Sequence, residues 1–410
     1  MSEGYSLRSY LSGALAARAG DEMSGPALLL AGLALTGSAT EASALLAGIT
    51  ASAALGGPAL GALLDRSARP GRLLAGALAL YAAGLTVILV GLDRLPLAVT
   101  VLVAMLTGLL GPALSGGWTA QLPRVATAGR LPRANALDAM TFSLASLAGP
   151  ALAGGAAQAL GASTAVVVSA ALVAVAAPAA WRLPARTAQH PGVRPAPLTG
   201  TLAAGFRVIL RRPPLARATL TSVASCAAQG MLAACVPLLG AQALGAAGRG
   251  TLLFACAAAS ALVANAVLAR FPGAATPDTV VRVGALVQAA ALALAATGSP
   301  AVLVVAALVL GIGEGPQLTA LFAVRHREAP EHLRGQIFTT GASLKITAFA
   351  LGVAAAGPLA TWSLRATLLT AAGTAAGAAL IGPAGRRNFR SRAFLSRSSA
   401  TERSSEPHNQ

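Results

Sequence analysis

The chain has 410 residues, 55% of them hydrophobic and only 10% charged, with a mean hydropathy of +0.70. A soluble domain carries about 25% charged residues, so this composition excludes one and leaves room for about twelve membrane spans of ~20 residues each. The net charge of +17 is not a nucleic-acid signal, because the arginines gather in alternate loops, as membrane orientation requires.

Twelve apolar segments follow one another at residues 11–35, 41–64, 73–92, 97–120, 138–160, 163–181, 215–239, 251–269, 279–296, 300–324, 336–361 and 364–382. Glycine and polar residues interrupt the fourth and the seventh. Arg18 and Lys345 lie inside spans, and Arg94, Arg249 and Arg365 fall in odd-numbered loops. The remaining basic residues occupy the N-terminus, the even loops, the linker and the tail. That asymmetry predicts both termini in the cytoplasm, which needs an even number of spans.

The expected organisation is therefore a cytoplasmic N-terminus (1–10), a six-helix half (11–182), a Pro/Arg-rich linker (183–214), a second six-helix half (215–385) and a basic, serine-rich tail (386–410) expected to be disordered. The stretch 201–217 is part apolar and part basic, with Arg207, Arg211 and Arg212. This reads as an amphipathic helix on the cytoplasmic surface. The first span lacks a short apolar core followed by a small-residue cleavage site, so it is expected to be retained.

Nucleotide and metal chemistry find no support. The single lysine, Lys345, is followed by Ile346, whereas a P-loop needs Gly-Lys-Ser/Thr, so the chain carries no P-loop ATPase of its own and any pumping draws on an ion gradient or a partner. Cys226, Cys235 and Cys256 lie in apolar segments without metal or disulfide spacing. The four histidines, His190, His326, His332 and His408, read as linker, loop and tail residues. No catalytic residue, metal site or cofactor is expected.

The two halves repeat. Leu110-Gly111-Pro112-Ala113-Leu114-Ser115 parallels Glu314-Gly315-Pro316-Gln317-Leu318-Thr319, and Asp21-Glu22-Met23 parallels Gln229-Gly230-Met231. Between the second and third spans, residues 61–72 read Gly-Ala-Leu-Leu-Asp-Arg-Ser-Ala-Arg-Pro-Gly-Arg. So charged a loop cannot lie in lipid. It resembles the loop after the second helix of the Major Facilitator Superfamily. Gly61, Asp65, Arg66 and Arg69 match the family pattern, and Ala68 stands where the family has glycine. Further stretches resemble that superfamily's exporters of drugs, siderophores and macrolide-like metabolites. They are Ala19-Gly20-Asp21, residues 36–40 (Thr-Gly-Ser-Ala-Thr), residues 131–137 (Leu-Pro-Arg-Ala-Asn-Ala-Leu) and residues 149–155 (Gly-Pro-Ala-Leu-Ala-Gly-Gly).

The resemblance implies an all-α membrane protein with twelve transmembrane helices in two pseudo-symmetric halves, working by alternating access. It also implies that Asp65 caps the start of the eleventh span, near Gln336, and that spans one, four, seven and ten line the central cavity. Trp118, Gln229 and Gln317 thereby become cavity candidates, although Trp118 also reads as an interfacial anchor. Gly149, Pro150, Gly154 and Gly155 resemble an antiporter motif with one extra residue between the pairs; close helix packing is the other explanation.

A charge in the bilayer costs about 2.5–3.5 kcal/mol on insertion scales, so each needs a reason. Arg18, Asp21 and Glu22 sit at i, i+3 and i+4 on one helix face. They form either a structural ion pair or, because two acids face one arginine, a reversible proton site. Glu314 replaces Leu110 of the other half and lies at a depth similar to Lys345, which suggests a pair. Asp138 reads as the N-terminal cap of the fifth span.

The functional expectation is proton-coupled efflux of a small amphipathic molecule by a monomer in the cell membrane. The bilayer, a small-molecule substrate and protons are its expected partners, without nucleic acid or ATP. One proton crossing 100 mV supplies about 2.3 kcal/mol, enough for a gradient of about 40-fold. A nutrient importer or uniporter, a membrane transferase and a non-transporting sensor on the same fold are the alternatives.

Overall fold

The computed structural model describes residues 6–185, 198–271, 273 and 275–380. The expected tail and most of the linker lie outside them. Among the described residues there are thirteen α-helices. The first half contains α1 (Leu7–Thr36), α2 (Ala39–Arg66), α3 (Pro70–Gly91), α4 (Leu97–Gly108), α5 (Leu131–Leu160) and α6 (Ala162–Trp181). The extra helix α7 (Leu198–Arg211) leads into α8 (Pro213–Ala243), α9 (Thr251–Arg270), α10 (Pro277–Ala295), α11 (Pro300–Glu328), α12 (Arg334–Trp362) and α13 (Leu364–Leu380).

Alanine and leucine supply helix propensity throughout, and prolines mark the starts. Pro70, Pro213, Pro277 and Pro300 each open a helix, where the missing N–H costs nothing. Ten segments are long and apolar enough to cross a bilayer. Helix α1 falls short because Arg18, Asp21 and Glu22 sit in its middle, and α13 because only 17 residues of it are described. The packing assigns both to the bundle. Helix α6 packs on α1 and α3, and α13 packs on α8 and α10 in the equivalent way.

The repeat extends to other pairs. Helix α1 packs on α5 as α8 does on α12, and α2 on α4 as α9 does on α11. Each half has its own apolar core, around Tyr10, Leu78 and Trp118 in the first and around Leu292, Leu303 and Leu368 in the second. The halves meet where α2 lies along α12 and α5 along α9. Outward-facing Leu80, Leu102, Val175, Leu252, Val263 and Leu351 are exposed. Such a belt suits lipid and would be a liability in water.

One asymmetry stands out. After Pro112, which cannot donate to the helix ladder, the fourth span continues as a π-helical turn, Ala113–Gly117. Its counterpart around Pro316 stays within a continuous α11. The first half has Ser115-Gly116-Gly117 there, whose small side chains tolerate a wider turn.

Helix α7 is amphipathic as expected and ends before Pro213. Its Val208 and Ile209 bury against Leu215, Ala329, Leu333 and Ile337. The helix touches both α2 and α12, so the linker helix, the Asp65 loop and the start of α12 share one end of the molecule.

Candidate functional site

Asp65 is the best-defined polar contact between the halves. Its carboxylate accepts from the N–H groups of Gly335 and Gln336, both at 2.7 Å. These are first-turn donors of α12 with no partner inside the helix, and a negative charge there also suits the helix dipole. Next to it, Ser343 donates to the carbonyl of Ala53 at 2.9 Å and accepts from the N–H of Gly57 at 3.0 Å. Phe142, Phe322 and Phe338 stack across the same end, with ring centroids 5.7 and 5.9 Å apart. The end bearing the Asp65 loop is therefore closed. In Asp65→Asn an NH2 donor replaces one of the two accepting oxygens and the charge is lost, at an expected cost of about 0.5–1.5 kcal/mol. Hydrogen–deuterium exchange at Gly335 and Gln336 should speed up several-fold, and unchanged exchange would contradict the cap.

The intramembrane charges separate in a way their spacing did not indicate. Arg18 turns away from Asp21 and Glu22 and pairs with Asp138 at 2.9 Å, with both side chains almost fully buried. It also donates to the Asp138 carbonyl (3.0 Å), Thr119 (2.8 Å) and Thr141, and stacks 3.7 Å over the Phe142 ring. Tyr10 donates to the same carboxylate at 3.1 Å. Asp138 is thus no helix cap. Helix α5 begins at Leu131, with Pro132 in its first turn, so Asp138 lies two turns inside and ties α5 to α1. A guanidinium with five donors is better satisfied by this group of acceptors than by one carboxylate on its own helix.

Asp21 accepts from Tyr81 of α3 at 2.7 Å, and Ser24 lies 3.0 Å from the same hydroxyl. The second half repeats this link in neutral form. Gln229 donates to Gln288 at 2.9 Å, Gln288 to Gln317 at 3.0 Å, and Gln317 to Ser225 at 3.1 Å. The first and third helices of each half are therefore bridged by polar side chains, with an acid in one half and amides in the other. Tyr81 and Gln288 were not singled out from the sequence, although each is a lone polar group inside an apolar span.

A cavity of about 410 Å³ lies between the halves, lined among others by Glu22, Ser146, Gln229, Glu314, Lys345 and Phe349. A second space of about 290 Å³ reaches Asp21, Tyr81 and again Glu22. Glu22 is exposed and joins the two. Glu314 and Lys345 share the larger cavity, but the expected pair is not closed, and no ion pair joins them. Two cavity candidates are corrected. Trp118 is wholly buried, edge-on to Tyr10 at 6.0 Å. Gln317 is also buried, held in the amide chain instead of facing the cavity. Trp118 is therefore not an interfacial anchor either. In the antiporter-like stretch, Gly149 packs against the backbone of Glu22 and Met23, while Gly154 and Gly155 have open space where a side chain would start. Pro150 lines the cavity. Close packing explains Gly149 and not the other two glycines.

His326 belongs to α11 instead of a loop, because that helix runs on to Glu328. It is buried with its ring 4.5 Å from Phe338. The apolar segment ends at residue 324, and the helix continues one more turn through Arg325, His326 and Arg327.

Two six-helix halves around a central, sparsely polar cavity closed at one end define a polytopic transport protein. The Major Facilitator Superfamily profile matches residues 10–340, and the chain belongs to that family of transporters, which are not enzymes. It is a secondary active, multi-pass transmembrane transporter. Among solved structures it is similar to the human organic anion transporter MFSD10 (TETRAN), at 17% identity and a TM-score of 0.73, over 92% of this chain and 98% of that one. A bacterial homologue of the iron transporter ferroportin in its outward-facing state gives 17% identity and a TM-score of 0.71, over 91% and 98%. The proton:xylose symporter XylE gives 13% identity and 0.66, over 91% and 93%. At these identities the likeness is one of fold. No curated protein matches the chain by sequence.

Proposed function

We propose that the protein is a proton-coupled exporter of a small amphipathic molecule, working by alternating access in the cell membrane. The observation that carries this reading is the cavity itself. Glu22 and Glu314 line it from opposite halves, and neither has a hydrogen-bond or ion-pair partner among the described residues. A carboxylate at bilayer depth that no hydrogen bond or ion pair holds is free to exchange a proton as the cavity changes access. Asp21, tied to Tyr81, is the third acid on this path. Phe142, Phe254 and Phe349 give the same cavity its apolar walls, which suits an amphipathic cargo better than a sugar.

With the basic loops in the cytoplasm, closure at Asp65 corresponds to the stage that faces outward. Asp65, Arg66 and Arg69 then act as the loop whose release accompanies opening to the cytoplasm. The test is proton flux in proteoliposomes holding a pH-sensitive dye, challenged with a panel of amphipathic drugs and macrolides. A substrate-triggered proton leak is expected. Glu22→Gln or Glu314→Gln should reduce it at least tenfold, while Asp21→Asn, which imitates the amide of the other half, should leave folding intact. A compound that equilibrates without moving protons in every variant would replace the antiporter with a uniporter.

A further inference from the structure

We propose that the cargo is amphoteric: a cationic group sits between Glu22 and Glu314, and an acidic group of the same molecule sits on Lys345. The inference rests on the transport reading above and narrows its substrate class. Lys345 is the chain's only lysine. It projects from α12 into the 410 Å³ cavity that Glu22 and Glu314 also line. None of these three charged groups has a hydrogen bond or ion pair with a described residue. Arg18, by contrast, is paired with Asp138 and hydrogen-bonded to Thr119.

A membrane protein that needed Lys345 only for its fold would pair it, because an unpaired charge at that depth is costly. Here the nearest candidate, Glu314, stays apart, although each lies in the other's electrostatic field. Glu22 in turn lies in the field of Asp21 and Glu314. The cavity thus holds a negative region drawn from both halves and a positive point on one wall. A purely cationic ligand would satisfy the acids and strand Lys345, and a purely anionic one would do the reverse. A molecule carrying both groups satisfies all three, and the apolar remainder lies against Phe142, Phe254 and Phe349. The volume is in the range of a drug-sized ligand.

The test uses two dyes that differ only at the acid. Rhodamine 110 carries a cationic ring system and a free carboxylate, and rhodamine 123 is its methyl ester. Binding to the purified full chain in detergent is read by fluorescence polarisation at one pH, with no gradient. The wild type should bind rhodamine 110 about tenfold more tightly, equivalent to ~1.4 kcal/mol. Lys345→Gln should erase that preference by weakening rhodamine 110, while cationic rhodamine 123, relieved of a like charge, binds at least as tightly as to the wild type. Lys345→Arg keeps the charge and should keep the preference. Equal binding of the two dyes by the wild type overturns the proposal. So does a preference that survives Lys345→Gln, a preference lost equally in Lys345→Arg, or failure of both dyes to bind. Any of these leaves proton-coupled transport standing, because that is read from flux and not from equilibrium binding.

Discussion

Replacing Asp138 by asparagine should destabilise the protein by about 3–5 kcal/mol, because it strands Arg18 in a fully desolvated site. Asparagine keeps the shape, so the loss is electrostatic. Arg18 would retain Thr119, Thr141 and the Phe142 ring, none of which carries a negative charge. Native domains are stable by only about 5–15 kcal/mol, so the variant should show a much lower thermal midpoint in detergent and poor recovery from the membrane. The double variant Arg18→Met, Asp138→Leu removes both charges together. It should be more stable than either single change, since apolar replacements of a buried pair are often neutral or better. A thermal midpoint for Asp138→Asn equal to that of the wild type would show that the pair contributes nothing. The repeat makes the same point from the other side. Helix α8 carries Cys226 where the repeat offset places the counterpart of Arg18, so the fold does not demand the charge. What the pair does is fix α1 against α5, one turn before Asp21 and Glu22. Glu22→Gln should leave the stability within about 0.5 kcal/mol of the wild type, as exposed substitutions do, because Glu22 has no partner to lose.

The large features were readable because they follow from bulk chemistry. Segments of about 20 apolar residues, arginines in alternate loops and prolines at helix starts gave the spans, and the repeat gave the halves. The match of Asp65 with the start of α12 came from the resemblance of residues 61–72 to the superfamily loop, not from charge or spacing. The partners of buried polar groups were not readable. Arg18 and Asp21 are neighbours at i, i+3, but Asp138 is 120 residues from Arg18, and only packing brings it near. Trp118 reads as interfacial because it sits near a span end, yet α1 begins at Leu7 and brings Tyr10 edge-on against it. Tyr81 and Gln288 were hidden for the opposite reason: a single polar group in an apolar span carries no partner label until the helix beside it is known.

Adding a side chain at Gly61 should have the second large effect, on the balance between states more than on folding. Where α2 crosses α12, a Cβ on Gly61 would fall onto the Gln336 backbone and the Thr339 hydroxyl. One on Gly57 would overlap the Thr339 carbonyl and Ser343. Backbone cannot rotate aside as a side chain can, so in Gly61→Leu the two helices must separate or the closed end must open. Overpacking of this kind costs about 1–3 kcal/mol. Applied to one of two states, that shifts their ratio by about 5- to 150-fold. The same contact is absent once the halves part at this end, so the open state bears none of the cost. Spin labels at Ala68 and His332, both exposed, would report the change in a variant whose three native cysteines are replaced. The wild type should give a short distance across the closed end, and Gly61→Leu should give a longer one as the main population. Turnover in the flux assay should fall with it, because a transporter that cannot close one end cannot complete its cycle, while rhodamine binding in detergent persists. If the short distance remains dominant in Gly61→Leu, the approach of α2 to α12 is not what sets the closed state, and the Asp65 cap must hold it alone.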